Sequence, residues 1–179
     1  PLAGPVHVNV PLREPLDPRT DNTTAEVVMA PLGDWEVSGA PFTCFGGAEV
    51  RLSRATGTQV LDDITTATRG LLLVGRLNSV AERDAVRDLA ATLGWMVYAD
   101  ITTGLYGPDA PGNLMADGDP AERMLEAGWP PDCVLHIGGS FTSKSLLRAL
   151  QDGPLPYIHV ADHDQRIDPN HQVSHRITM

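Results

Sequence analysis

A single lysine, Lys144, stands among the 13 basic residues of this 179-residue chain; all the others are arginines. Against them stand 23 acidic residues, leaving a net charge of -10. A chain of this balance lacks the basic face that phosphate-backbone binding needs, which excludes nucleic acid as a partner. Cysteine is scarce too. Cys44 and Cys133 form no spacing motif, so neither a disulfide framework nor a cysteine metal site is indicated, and both are expected to be core thiols in a reducing, cytoplasmic setting. No apolar run approaches the roughly 18 residues that a membrane helix requires. The chain opens on Pro1-Leu2-Ala3-Gly4, without Met and without the charged leader of a signal peptide. We read that start as a cut at a domain boundary inside a longer protein.

What is present is the composition of a globular domain, 42% hydrophobic and 20% charged. Its first third is irregular. Val6–Val10 alternates like a strand, after which Pro11, Pro15 and Pro18 force a non-helical path. Pro31, Gly33, Gly39, Pro41, Gly46 and Gly47 punctuate the stretch up to residue 56. The expectation is an interdomain connector with one leading strand over 1–56 and a central domain over 57–179. A helix is expected over Thr58–Thr68, with Val60, Leu61 and Ile64 on one face.

From Gly70 the pattern turns regular. Leu71-Leu72-Leu73-Val74 is a continuous apolar run closed by Gly75, as in a strand buried on both faces. Ser79 and Glu82 form a capping box for a helix from Val80 to Leu93, with Val86, Leu89 and Leu93 as its apolar stripe and Gly94 as its stop. Met96–Ala99 reads as a strand. Asp119 and Pro120 mark the start of a short helix that Gly128 ends. Cys133–Ile137 and Tyr157–Val160 read as strands on either side of a helix over Ser143–Leu150, and Val173–Ile177 as an edge strand. Strands alternating with helices predict a Rossmann-like, doubly wound α/β domain: a mainly parallel sheet of five or six strands with helices on both faces. The three scattered tryptophans, Trp35, Trp95 and Trp129, are expected to pack.

Three places invite a functional reading. After the first strand the chain runs Val74-Gly75-Arg76-Leu77-Asn78. A dinucleotide turn needs three glycines there and only Gly75 is present, which argues against NAD or FAD. The second place is Ile137-Gly138-Gly139-Ser140-Phe141-Thr142-Ser143-Lys144. Two glycines at a strand's carboxyl end, hydroxyls beside a helix start, and a lysine placed against the helix dipole fit either an anion site or a solvent-exposed lysine on a glycine turn; Lys144, Gly139 and Ser140 are the candidate substrate-binding residues. The third is the Asp- and His-rich run Asp162–His171. Its spacing matches no metal pattern, and an ion pair of Arg166 with Asp168 or Asp162 is expected to fix the loop. No catalytic triad or metal ligand set is indicated.

Read in order, GPVHVNVPLREPL (Gly4–Leu16), RGLLLVGR (Arg69–Arg76), LGWMVYAD (Leu93–Asp100), HIGGSFTSKSLL (His136–Leu147) and HVADHDQRIDPNH (His159–His171) resemble the 2-succinyl-5-enolpyruvyl-6-hydroxy-3-cyclohexene-1-carboxylate synthase family, MenD. The resemblance implies the middle domain of a three-domain enzyme, a homodimer or homotetramer, that uses thiamine diphosphate and Mg²⁺. Such an enzyme decarboxylates 2-oxoglutarate and adds the succinyl unit to isochorismate in menaquinone biosynthesis. The cofactor and metal are bound by the other two domains; Asp117-Gly118-Asp119 is not the family's metal–diphosphate motif. The fragment is therefore expected to be a non-catalytic scaffold that assists substrate binding through Lys144. Some members carry Arg in the next position, where this chain has Ser145. Some relatives are inhibited by a naphthoate held by arginines of this domain, for which Arg76 and Arg166 are the candidates. The alternatives are a middle domain of an acetolactate-synthase-like enzyme, which a yellow FAD-bearing preparation marks, and a free-standing anion-binding module.

Overall fold

The computed structural model describes residues 7–12, 14, 30–41, 43, 52–115, 119, 124, 130–151 and 155–179. The chain divides into two units, 1–48 and 49–179. In the first, Trp35–Ser38 forms one helical turn ended by Gly39 at φ 67°, and the Trp35 indole donates to the Ala40 carbonyl at 2.8 Å. The leading strand does not form over the described part of its run. Val8 and Val10 are 73% and 66% exposed, with no ladder partner to hold the alternation in place. Val6 and Cys44 lie outside the described residues, as does most of the short helix expected after Asp119, and Trp129 with it.

The second unit holds a five-stranded, wholly parallel sheet: β1 (Gly70–Val74), β2 (Met96–Ala99), β3 (Cys133–Ile137), β4 (Tyr157–Ala161) and β5 (His175–Thr178). Their spatial order is β2-β1-β3-β4-β5. Among the described residues it carries the helices α1 (Arg54–Thr66), α2 (Val80–Leu93) and α3 (Lys144–Ala149). Helix α1 crosses the expected 56/57 boundary, and its Val60 and Ile64 pack into the sheet's core. Leu61 turns away and is 62% exposed, contrary to the expected stripe. A bridge between Val97 and Leu114 covers part of the β2 edge.

Both faces of the sheet are covered, which explains the unbroken apolar run of β1, each side chain worth about 1.5–3 kcal/mol when fully buried. Leu72 and Val74 meet α1 and α2 through Val60, Val86 and Ala90. Leu71 and Leu73 face the opposite layer with Leu146, Leu150 and Met124. Gly70 leaves room for Trp95, whose ring lies 2.0 Å from where a β-carbon would stand. Cys133 opens β3 in the core as a fully buried free thiol.

Candidate functional site

Open parallel sheets bind ligands outside the carboxyl ends of their strands, at the point where the strand order reverses. Here that point lies between β1, whose chain moves outward to β2, and β3, whose chain moves to β4. Two glycine turns meet there. Gly75 donates to the Ile137 carbonyl at 2.9 Å, and Gly139 donates to the Arg76 carbonyl at 2.9 Å. A β-carbon on Gly75 would stand 1.8 Å from the Gly139 oxygen, and one on Gly138, at φ +83°, 2.5 Å from the Arg76 oxygen. The crevice that a diphosphate occupies in dinucleotide domains is thus filled by backbone. Gly75 is more than a strand-ending residue, a role that becomes visible only with Gly139 across from it.

The turn after β3 is held on every side. Gly138 donates to the Val160 carbonyl at 2.8 Å. From beneath, His136 and His159 place Nε2 at 2.9 Å from the carbonyls of Gly139 and Gly138. These acceptors assign the proton to Nε2 in both rings, and the Tyr157 hydroxyl then donates to His136 Nδ1 at 3.2 Å. The two rings lie 4.5 Å apart and are 2% and 1% exposed. Burial, with His159 alongside, pushes His136 down to about 3, and burial likewise lowers His159. From the side, buried Asp100 at the end of β2 accepts from the Thr142 amide and hydroxyl at 2.7 and 2.8 Å through one oxygen. Its other oxygen accepts from the Thr102 amide and hydroxyl at 3.0 and 2.8 Å. Burial pushes this carboxyl up, but the four hydrogen bonds outweigh it and hold it below the usual range. Phe141 packs edge-on against both His136 and Tyr98.

Beyond this clamp Ser143 caps α3, accepting from the Leu146 amide at 3.2 Å, and Lys144 is exposed in the first helical position. Ser140 is exposed as well. The expected role of Gly139 changes: its N–H is committed to Arg76, so it serves the contact between turns and does not donate to an anion. A cavity of about 250 Å³ opens beside the turns, with Arg76, Glu82 and Asp162 among its walls and Leu77, Ile137 and Val160 behind them. Arg166 is not one of its walls, so this cavity does not gather the two candidate arginines.

The ion pair expected of Arg166 is not made among the described residues. Asp162 accepts instead from the Asn78 amide group at 3.1 Å, and Asp168 from the Val173 N–H at 2.9 Å. Arg176 on β5 ties the loop down by donating to the carbonyls of His163 and Gln165. The residues that do most at this edge are His136, His159 and Tyr157, which the sequence places on strands, and Asp100, which follows the strand Met96–Ala99 and carries no role in the local pattern. Their one signal in sequence was polarity inside otherwise apolar runs.

Residues 26–179 match the family model described as the middle domain of thiamine pyrophosphate. The 2-succinyl-5-enolpyruvyl-6-hydroxy-3-cyclohexene-1-carboxylate synthase of Chlorobaculum tepidum is 33% identical over 178 residues, 96% of this chain and 29% of the relative. That of Salinibacter ruber is 33% identical over 183 residues, 98% of this chain and 30% of the relative. The chloroplastic protein PHYLLO of Arabidopsis thaliana is 32% identical over 193 residues, 97% of this chain and 11% of that protein. The chain spans less than a third of the length of each.

Proposed function

This chain belongs to the family of thiamine pyrophosphate middle domains, and we propose that it is the central domain of a synthase that decarboxylates 2-oxoglutarate and adds the succinyl unit to isochorismate. The likeness to the synthases of that name, running along nearly the whole chain, carries this reading. Its partners are the other two domains of the same polypeptide. Thiamine diphosphate and Mg²⁺ belong to those domains in this reading. In keeping with this reading, the two glycine turns fill the space at the ends of β1 and β3 with backbone. No step of cofactor chemistry is assigned to this chain.

Its own contribution is Lys144. The ammonium stands on a braced turn at the carboxyl end of β3, exposed and without an ion-pair partner among the described residues, and both substrates carry carboxylates. A charge-assisted hydrogen bond of this kind is worth roughly 1.5–3 kcal/mol. In the full-length enzyme supplied with thiamine diphosphate and Mg²⁺, Lys144→Ala should lower kcat/KM for one substrate by about 10- to 150-fold, mostly as a raised KM. Lys144→Arg should keep part of the activity, and Arg148→Ala, one turn along α3, should be nearly silent. Values within about twofold of wild type for both substrates would make the domain a scaffold alone. A full-length enzyme that turns over no 2-oxoglutarate with isochorismate would remove the reaction itself.

A further inference from the structure

Two adjacent glycines can adopt many backbone conformations, yet the peptides of Gly138 and Gly139 are each pinned through the carbonyl by a different histidine. Those histidines come from neighbouring strands at paired register, His136 opposite His159. Polar rings in the middle of a sheet are costly to bury unless they are bonded, and here each one bonds the same short turn. Tyr157 on β4, in register with Val134 on β3, adds the hydroxyl that fixes the His136 tautomer.

We infer that His136 and His159 are positioning residues for Lys144: their Nε2 protons lock the Gly138 and Gly139 carbonyls and so fix where the turn delivers the start of α3. The inference rests on Lys144 contacting a substrate carboxylate. Removing a pin frees a peptide of the turn to rotate, which displaces Lys144 without altering its chemistry. Substrate binding then weakens while the chemical step, carried by other domains, proceeds at its usual rate.

The test uses the full-length enzyme with His159→Phe, His159→Gln and Tyr157→Phe, read by hydrogen exchange and by steady-state kinetics. His159→Phe should speed exchange over residues 138–146 by about tenfold or more while leaving 70–74 unchanged. It should raise KM for one carboxylate substrate by about five- to twentyfold, with kcat within about twofold. His159→Gln, which returns an N–H at similar reach, should restore most of both. Tyr157→Phe, a mild change that leaves the core filled, should give the same pattern at about twofold. Exchange that stays unchanged over 138–146, or that accelerates equally over 70–74, overturns the inference: the histidines are then core residues only. If the turn loosens and KM does not move, Lys144→Ala separates the faults. A raised KM in Lys144→Ala means the lysine reading holds and the positioning role falls; an unchanged KM means the lysine reading has failed, and the positioning role goes with it.

Discussion

Helices α2 and α3 start at the same end of the same sheet and are built to opposite specifications. Helix α2 is 14 residues long, with Ser79 and Glu82 completing a reciprocal capping box, an acid in its first turn, and Gly94 at φ 63° closing it. Glu82 also receives the Asn78 amide at 2.6 Å. Helix α3 has six residues, a serine cap with no carboxylate behind it, a lysine in the first position and no glycine stop. A helix of that length is marginal by itself, so α3 depends on Leu146 and Leu150 in the core and on the clamp in front of it. One start is satisfied internally; the other leaves a cation facing outward.

The largest perturbation available is to the contact the two starts share. Gly75→Ala drives a β-carbon into the Gly139 carbonyl, a backbone atom that cannot swing aside, and should cost about 3 kcal/mol or more in urea unfolding. Gly94→Ala, in open space but at a positive φ that Gly75 does not have, should cost about 1 kcal/mol. Equal losses at the two positions would mean the turns are not locked together.

Acid should separate the two starts next. The α3 turn rests on histidines kept neutral by burial, with folded pKa values below the ordinary 6.5. The unfolded chain therefore takes up protons first. Their contribution is complete above about pH 6.5 and is lost as pH falls toward the folded value, at up to about 1.4 kcal/mol per pH unit for each histidine. Asp100 and Asp132, held below the usual carboxyl range, contribute to acid loss only below about pH 4. His136→Gln should flatten the stability profile between about pH 6 and 4 by up to about 1.4 kcal/mol per unit; an unchanged slope there would show that His136 is not buried neutral. Smaller effects complete the comparison. Ser79→Ala should cost α2 about 1 kcal/mol, whereas Lys144→Ala should leave stability level or raise it by a few tenths of a kcal/mol. A comparable loss from Lys144→Ala would reveal a structural partner for the lysine.

Local chemistry made much of this fold legible. The helix Val80–Leu93 with its cap and stop, and the strands Met96–Ala99 and Cys133–Ile137, follow from patterns that each segment carries within itself. The strand-like alternation at Val6–Val10 had no such support, because alternation without a partner strand specifies nothing. The site was harder, since its bonds join distant segments. Thr142 reaches Asp100 across 42 positions, and His159 reaches Gly138 across 21. Lys144 was visible because it opposes a local preference. The histidines were not, because a strand pattern records that a residue faces inward and is silent on what it bonds there. The loop prediction failed for a related reason: opposite charges in one segment suggested pairing within it, but Asp162 and Asp168 had nearer uses in Asn78 and the Val173 N–H.

Cys133, sealed at the first position of the central strand, has a consequence for handling the protein. Burial, with Asp63 and Asp132 nearby, raises its thiol to about 11, so in the folded state it is both unreachable and almost wholly un-ionised at neutral pH. Alkylating reagents attack the thiolate and must wait for β3 to open. In a Cys44→Ser background the labelling rate at this one sulfur becomes a stopwatch on the opening of the sheet's middle, readable by mass spectrometry without a denaturant.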